Sequence, residues 1–172
     1  MALPVLNDSP LYEATVPSTE EVIRFRPFLV KEQRTLLIAF ESQDRKQILG
    51  AVLDTIQSCA GVDPRDWPMH DVEYIFVQIR AKSVGEVVNL KLKCPDDEKV
   101  TVDHALNVDE LTVKFPEDHK LEIPFTKDYG VIMKYPTIKS FRKDVNPAVM
   151  SFELFKDCLQ TIYKGDETYD IG

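Results

Sequence analysis

Glycine is scarce in this 172-residue chain, at six residues, and there are three cysteines and one tryptophan. So few glycines leave little room for phosphate-cradling turns. The chain has no P-loop, no dinucleotide glycine pattern and no G-x-S-x-G elbow. Cys59, Cys94 and Cys158 are odd in number and far apart, which argues against a disulfide framework and for reduced thiols in a cytoplasmic compartment. Long apolar runs are also missing. The longest, Leu36 to Phe40, falls far short of the roughly 20 residues that span a bilayer, so no membrane partner is expected. The opening Met1-Ala2-Leu3-Pro4 shows no basic segment followed by an apolar one, so it does not read as a secretory signal. Positive charge is outnumbered, 21 Lys and Arg against 29 Asp and Glu, and the net charge of −8 speaks against a nucleic-acid partner.

What is present suffices for a core. With 44% hydrophobic residues, nine Phe and six Tyr, intrinsic disorder is excluded. A domain of this length buries roughly 70% of the surface its unfolded chain exposes. Eleven prolines punctuate the chain. Residues 1–17, with Pro4, Pro10 and Pro17 and no sustained periodicity, read as an extended arm. Val22 to Arg26 alternates, with Ile23 and Phe25 on one side and the arginines on the other, and Pro27 ends this short strand. Leu29, Gln33, Leu36, Leu37 and Phe40 then fall at helical spacing. Asp44, with Gln47 three residues on, caps a second helix whose apolar positions run from Ile48 to Cys59 and which Gly61 closes. Asp71 precedes a third helix carrying Val72, Ile75, Phe76 and Ile79.

At Gly85 the period changes to two. Val88, Leu90 and Leu92 alternate with polar residues, and Val100 and Val102 follow a polar tip, as in a hairpin. Further strands are expected at 111–115, 121–125 and 131–135. Asn146 is a good N-cap with Pro147 at the first helical position, and Phe152, Phe155, Leu159 and Ile162 supply the stripe of a C-terminal helix. The expected fold class is α+β. A single domain, 18–172, would comprise a helical part (about 28–84), an antiparallel β-sheet (about 85–136) and one or two C-terminal helices (about 137–164).

Reactive chemistry is thinly supported. A nucleophilic cysteine would need His70, His104 or His119 beside it, yet Cys59 and Cys158 lie on apolar helix faces, where a thiol behaves as a small hydrophobe. Cys94, at the hairpin tip before Pro95, Asp96 and Asp97, is the one metal candidate, and it lacks the paired spacing of a zinc site. No cofactor and no catalytic residue is expected. His70-Asp71 invites a general-base reading, but Asp71 as helix cap is the simpler account. Asp166, Glu167 and Asp170 read as solvated. Arg24, Arg26, Arg80, Lys82, Lys91 and Lys93 either converge on a basic patch for an acidic protein surface or form an ordinary wet face with intramolecular ion pairs. Arg24, Arg26, Arg80 and Lys82, with Tyr12 from the arm, are the expected partner-binding residues.

Three blocks carry a family resemblance. One is Pro17-Ser18-Thr19 running into Phe25-Arg26-Pro27-Phe28-Leu29-Val30-Lys31-Glu32 and Leu36 to Ser42. The second is His70-Asp71-Val72-Glu73-Tyr74-Ile75-Phe76 with Arg80-Ala81-Lys82-Ser83-Val84-Gly85-Glu86 and Lys93-Cys94-Pro95. The third is Gly130 to Pro136. Together they resemble the baseplate hub assembly proteins of T-even-type contractile-tailed bacteriophages, from about Pro17 to Asp170. The resemblance implies a non-enzymatic protein that binds other baseplate or tail proteins, as a hub component or an assembly chaperone. It also implies location in the host cytoplasm during assembly and then in the virion tail. Relatives often carry a second cysteine soon after the position of Cys94, implying a zinc-ribbon-like hairpin. Here Asp96-Asp97-Glu98 stands instead, so the alternative reading is a binding module with a degenerate metal site around Cys94.

Overall fold

The computed structural model describes residues 9–96, 99–140 and 147–171. They fall into two compact units, one within Met1–Pro64 and His70–Val113 and one within Arg65–Met69 and Lys114–Gly172.

The first unit opens with strands β1 (Tyr12–Thr15) and β2 (Val22–Phe25), an antiparallel pair with Tyr12 opposite Phe25. Residues 12–15 of the expected arm therefore form a strand, while its first eight residues lie outside the described ones. The loop closes through Val16 N–H to Glu21 O at 2.8 Å and Glu20 N–H to Val16 O at 2.9 Å. The alternation in β2 holds, with Ile23 and Phe25 buried and Arg24 exposed. Helices α1 (Val30–Glu41), α2 (Arg45–Ala60) and α3 (Met69–Val84) follow.

Both expected caps of α2 are present. Asp44 accepts from Lys46 N–H at 2.8 Å, and Gly61 adopts the left-handed conformation (φ 71°), its N–H donating to Gln57 O. Phe25, Ile56, Val72, Ile75 and Ile79 are nearly inaccessible to solvent. Burial of side chains this size contributes about 1.5–3 kcal/mol each. The α1–α2 contact is built on Leu36, Ala39 and Ala51, with Phe28, Ile48, Val52 and Phe76 packed around them. Ser83 Oγ donates to Ile79 O and accepts Phe28 N–H at 2.9 Å, tying the entry of α1 to α3. Strands β3 (Val87–Lys93) and β4 (Thr101–Asn107) pair antiparallel over seven residues as the expected hairpin.

The second unit is a four-stranded antiparallel sheet, β5 (Glu122–Pro124), β6 (Tyr129–Met133), β7 (Leu159–Lys164) and β8 (Glu167–Asp170), in sequential order. Helix α4 (Pro147–Cys158) leads into β7. A β-bulge falls at Ile132/Met133. Pro124 sits on edge strand β5. The inward bond from Phe125 N–H to Tyr129 O places the Pro124 nitrogen on the outer side, so its missing N–H costs no ladder bond.

The expected order of helical part, one sheet and C-terminal helices is overturned. The described residues hold four helices and eight strands in three sheets spread along the chain. At the C-terminus, Leu159 and Ile162 lie on a strand. Thr161, Ile162 and Tyr163 favour extended backbone, and Gly165 (φ 58°) opens a two-residue hairpin turn between Lys164 and Glu167. Residues 111–115 form no strand; a 3₁₀ turn at Val108–Glu110, capped by Asn107, precedes them. Asn146, the expected cap of α4, lies outside the described residues.

Gly130 is needed for close approach. It pairs with Tyr163, and a Cβ there would lie 2.2 Å from the tyrosine Oη. Gly130→Ala should cost about 1–3 kcal/mol in urea denaturation, the range for forced overpacking. The same change made in a Tyr163→Ala background should cost clearly less. Equal costs in the two backgrounds would contradict the contact.

Candidate functional site

The expected basic patch resolves into separate intramolecular arrangements. Arg26 stands just past β2, its side chain 21% exposed. Its guanidinium donates to Pro27 O at 2.9 Å, to Glu32 Oε1 at 3.0 Å and to Ser58 O at 3.0 Å, and its backbone N–H donates to Cys59 O. The carbonyls of Ser58 and Cys59 end α2, which has no basic residue in its own last turn, so Arg26 supplies the cation that the helix dipole favours there. Glu32, buried in the first turn of α1, also accepts Leu29 N–H at 2.8 Å, the return half of a capping box. Burial pushes the Glu32 carboxyl up, but the Arg26 hydrogen bond, the Leu29 amide and the Arg26 charge together outweigh it. The net shift is below the usual carboxylate value.

Lys82 is a second junction. It meets Glu86 at 2.6 Å and Asp109 at 2.9 Å and lies 5.8 Å from the centre of the Tyr12 ring. The hydrogen bonds it donates to those two carboxylates hold its pKa above the ordinary lysine value, so it is a cation throughout the neutral range. Arg80 donates to Gly85 O at 3.2 Å. Arg24 is different. Its 2.9 Å pair with Glu13 is open to solvent on both sides. Of the five expected partner-binding residues, the structure brings together Tyr12 and Lys82.

Asp71 does not cap α3, which begins two residues earlier. Its fully buried carboxylate accepts the backbone N–H of Ser18 at 3.0 Å and the Ser18 hydroxyl, strapping the β1–β2 loop to the helix. His70 Nε2 lies 3.4 Å from the same carboxylate. Cys94 ends the β3–β4 ribbon, its backbone N–H donating to Val100 O at 2.9 Å. His104 pairs with Leu90, four residues up the strand from Cys94 and so about 13 Å along it. Those two cannot share one ion. Among the described residues no group of three His, Cys, Asp or Glu side chains has the arrangement of a metal site.

What the structure does assemble is apolar surface. Across the four-stranded sheet, Ile123, Val131, Ile162 and Tyr169 stand in register as one transverse row. Leu121, Phe125, Tyr129 and Ile171 flank it on the same face by the two-residue alternation. Val131 is buried, while the other seven are each more than a third exposed. On the ribbon, Leu92 and Val102 pair across the strands and are also exposed. In α4, Val149, Phe152 and Phe155 face solvent. The alternation at 121–125 was visible in the sequence as strand; its exposure was not, because a strand pattern does not say whether its apolar face is covered. No helix among the described residues is long and apolar enough to cross a membrane.

The model of the family described as T4 bacteriophage base plate protein matches residues 9–172. The chain belongs to that family. No curated protein and no solved structure matches it. Contiguous exposed apolar surface is what a baseplate protein, working among other subunits, has reason to carry.

Two outcomes follow for this baseplate protein. The Glu32 pKa is depressed in the fold, so its stabilisation is complete above about pH 4.5 and fades as pH falls through the lower folded value. Glu32→Gln should therefore lose about 2 kcal/mol at neutral pH in urea melts, with the difference shrinking in acid. Burial, against a lowering from Arg26, pushes the Cys59 thiol up to about 11, and burial also raises Cys158. Iodoacetamide mapping should find Cys94 alkylated first, with Cys59 and Cys158 reacting only on unfolding. Early labelling of Cys59 would refute its burial.

Proposed function

We propose that this baseplate protein is a non-enzymatic interaction subunit of the baseplate hub, acting as a hub component or as its assembly chaperone. Its role is to hold other tail proteins in register through complementary surface. The observation that carries the reading is the transverse row Ile123, Ile162 and Tyr169 with Phe125 and Tyr129 beside it, exposed on one sheet face. Aromatic and aliphatic side chains collected on one face are the anchors of protein contacts. The state of the thiols supports the same reading, since Cys59 and Cys158 are held in the protonated, unreactive form.

Among the basic residues we assign Arg24 to a partner. It is exposed, and its pair with Glu13 in water is worth little, so an acidic surface can replace Glu13. Arg26, Lys82 and Tyr12 serve that contact by stiffening the elements around β2, and Arg80 by holding the end of α3. Assembly takes place in the host cell cytoplasm and delivers the protein, or its product, to the virion tail.

The double change Ile162→Asp with Tyr169→Asp should leave circular dichroism intact and abolish recovery of tailed particles. Quantitative mass spectrometry of purified virions beside infected-cell lysate separates the two roles. Stoichiometric presence in particles marks a hub component, and abundance in lysate alone marks a chaperone. Normal particle yield from the double variant would defeat the sheet-face reading.

A further inference from the structure

Helix α1 carries two apolar faces. One, with Leu36 and Ala39, is buried against α2. The other is not covered: Val30 is 81% exposed, and Leu37 and Ile38 are each 55% exposed. At 100° per residue, Arg34 and Glu41 fall along the middle of this outer stripe, with Leu37 to one side and Ile38 to the other. Arg34 and Glu41 stand two turns apart, so they do not form the i,i+4 pair. Among the described residues neither has an ion pair or hydrogen bond through its side chain. That sets Arg34 apart from Arg24, Arg26 and Lys82, each of which is paired within the chain. An arginine left without a carboxylate at the centre of an exposed apolar stripe is the composition of a contact anchor.

We propose that this stripe docks on the same stripe of a second copy of the chain, the two α1 helices antiparallel about a two-fold axis at Leu37 and Ile38. A two-fold contact uses one patch twice and must be complementary to itself. Rotation about the point midway between residues 37 and 38 exchanges position 34 with position 41. Each Arg34 therefore meets the partner's Glu41, while the rotation keeps each side of the stripe on its own side, so Leu37 packs against the partner's Leu37 and Ile38 against the partner's Ile38, and two ion pairs bracket an apolar centre. A parallel arrangement would set Arg34 on Arg34 and Glu41 on Glu41, so charge selects the antiparallel one. The contact spans about three helical turns, less than the roughly 800 Å² per partner of a standard interface, and the dimer is accordingly a dissociating one. This inference does not depend on the role assigned to the sheet face.

Sedimentation equilibrium of the full chain in low salt, up to about 1 mM, tests it. A reversible monomer–dimer equilibrium is expected. Arg34→Glu and Glu41→Arg should each weaken it on the order of tenfold or more by bringing like charges together, and the two changes combined should restore most of the affinity. Ile38→Lys, which leaves both native charges in place, should abolish dimerisation. All three sites are exposed, and circular dichroism should confirm that every variant folds as the parent does. A monomer at every concentration overturns the proposal. So does a dimer indifferent to Arg34→Glu, or a combined variant no tighter than the single ones.

Discussion

The first unit depends on one guanidinium. Arg26 follows the strand that carries Phe25 and reaches the last carbonyls of α2 on one side and the first turn of α1 on the other. Three elements that share little direct hydrogen bonding thereby acquire a common partner. The geometry is available to arginine and not to lysine, because a planar fork can serve a carbonyl and a carboxylate at once while a single ammonium cannot hold both directions. Glu32 completes the arrangement by answering Arg26 with one oxygen and the α1 amide of Leu29 with the other. The same two residues that neutralise each other also satisfy two helix ends, so the pair does not leave desolvated polarity behind it.

Much of this architecture could be read from local pattern, and the parts that could not have identifiable reasons. The β2 alternation, both caps of α2 and the β3–β4 hairpin are local statements: each rests on residues within a few positions of one another. The C-terminal segment failed as a helix because Phe152, Phe155, Leu159 and Ile162 keep helical spacing across a boundary where the backbone changes. The signals that should have won were Thr161-Ile162-Tyr163 and the Gly165 turn after them. In α1, apolar residues occupy both faces, so periodicity gave Leu37 and Phe40 the same standing as Leu36. The fold buries only the Leu36 side.

The candidate site was less legible, for a related reason. Arg24, Arg26, Arg80 and Lys82 look alike along the sequence, and what distinguishes them lies far away. Ser58 is 32 positions from Arg26, and Asp109 is 27 from Lys82. Asp71 looked like a cap for its own helix and instead holds Ser18, 53 positions earlier. Apolar exposure is a tertiary property of the same kind. The second unit, with Val131, Cys158 and Thr161 among its few buried residues, spends most of its aromatic and aliphatic side chains on surface. A protein of a multi-subunit particle can carry that surface because its neighbours complete the burial.

The proline in β5 bears on how such a protein avoids its own hazards. A four-stranded sheet with open edges and a greasy face is a template onto which any stray strand can add, and then another, without limit. At Pro124, the last residue of a strand only three residues long, the outer edge lacks the donor that an incoming strand would need. Fibrillar growth is therefore blocked at that margin by covalent chemistry, leaving the broad face open for finite, specific contacts.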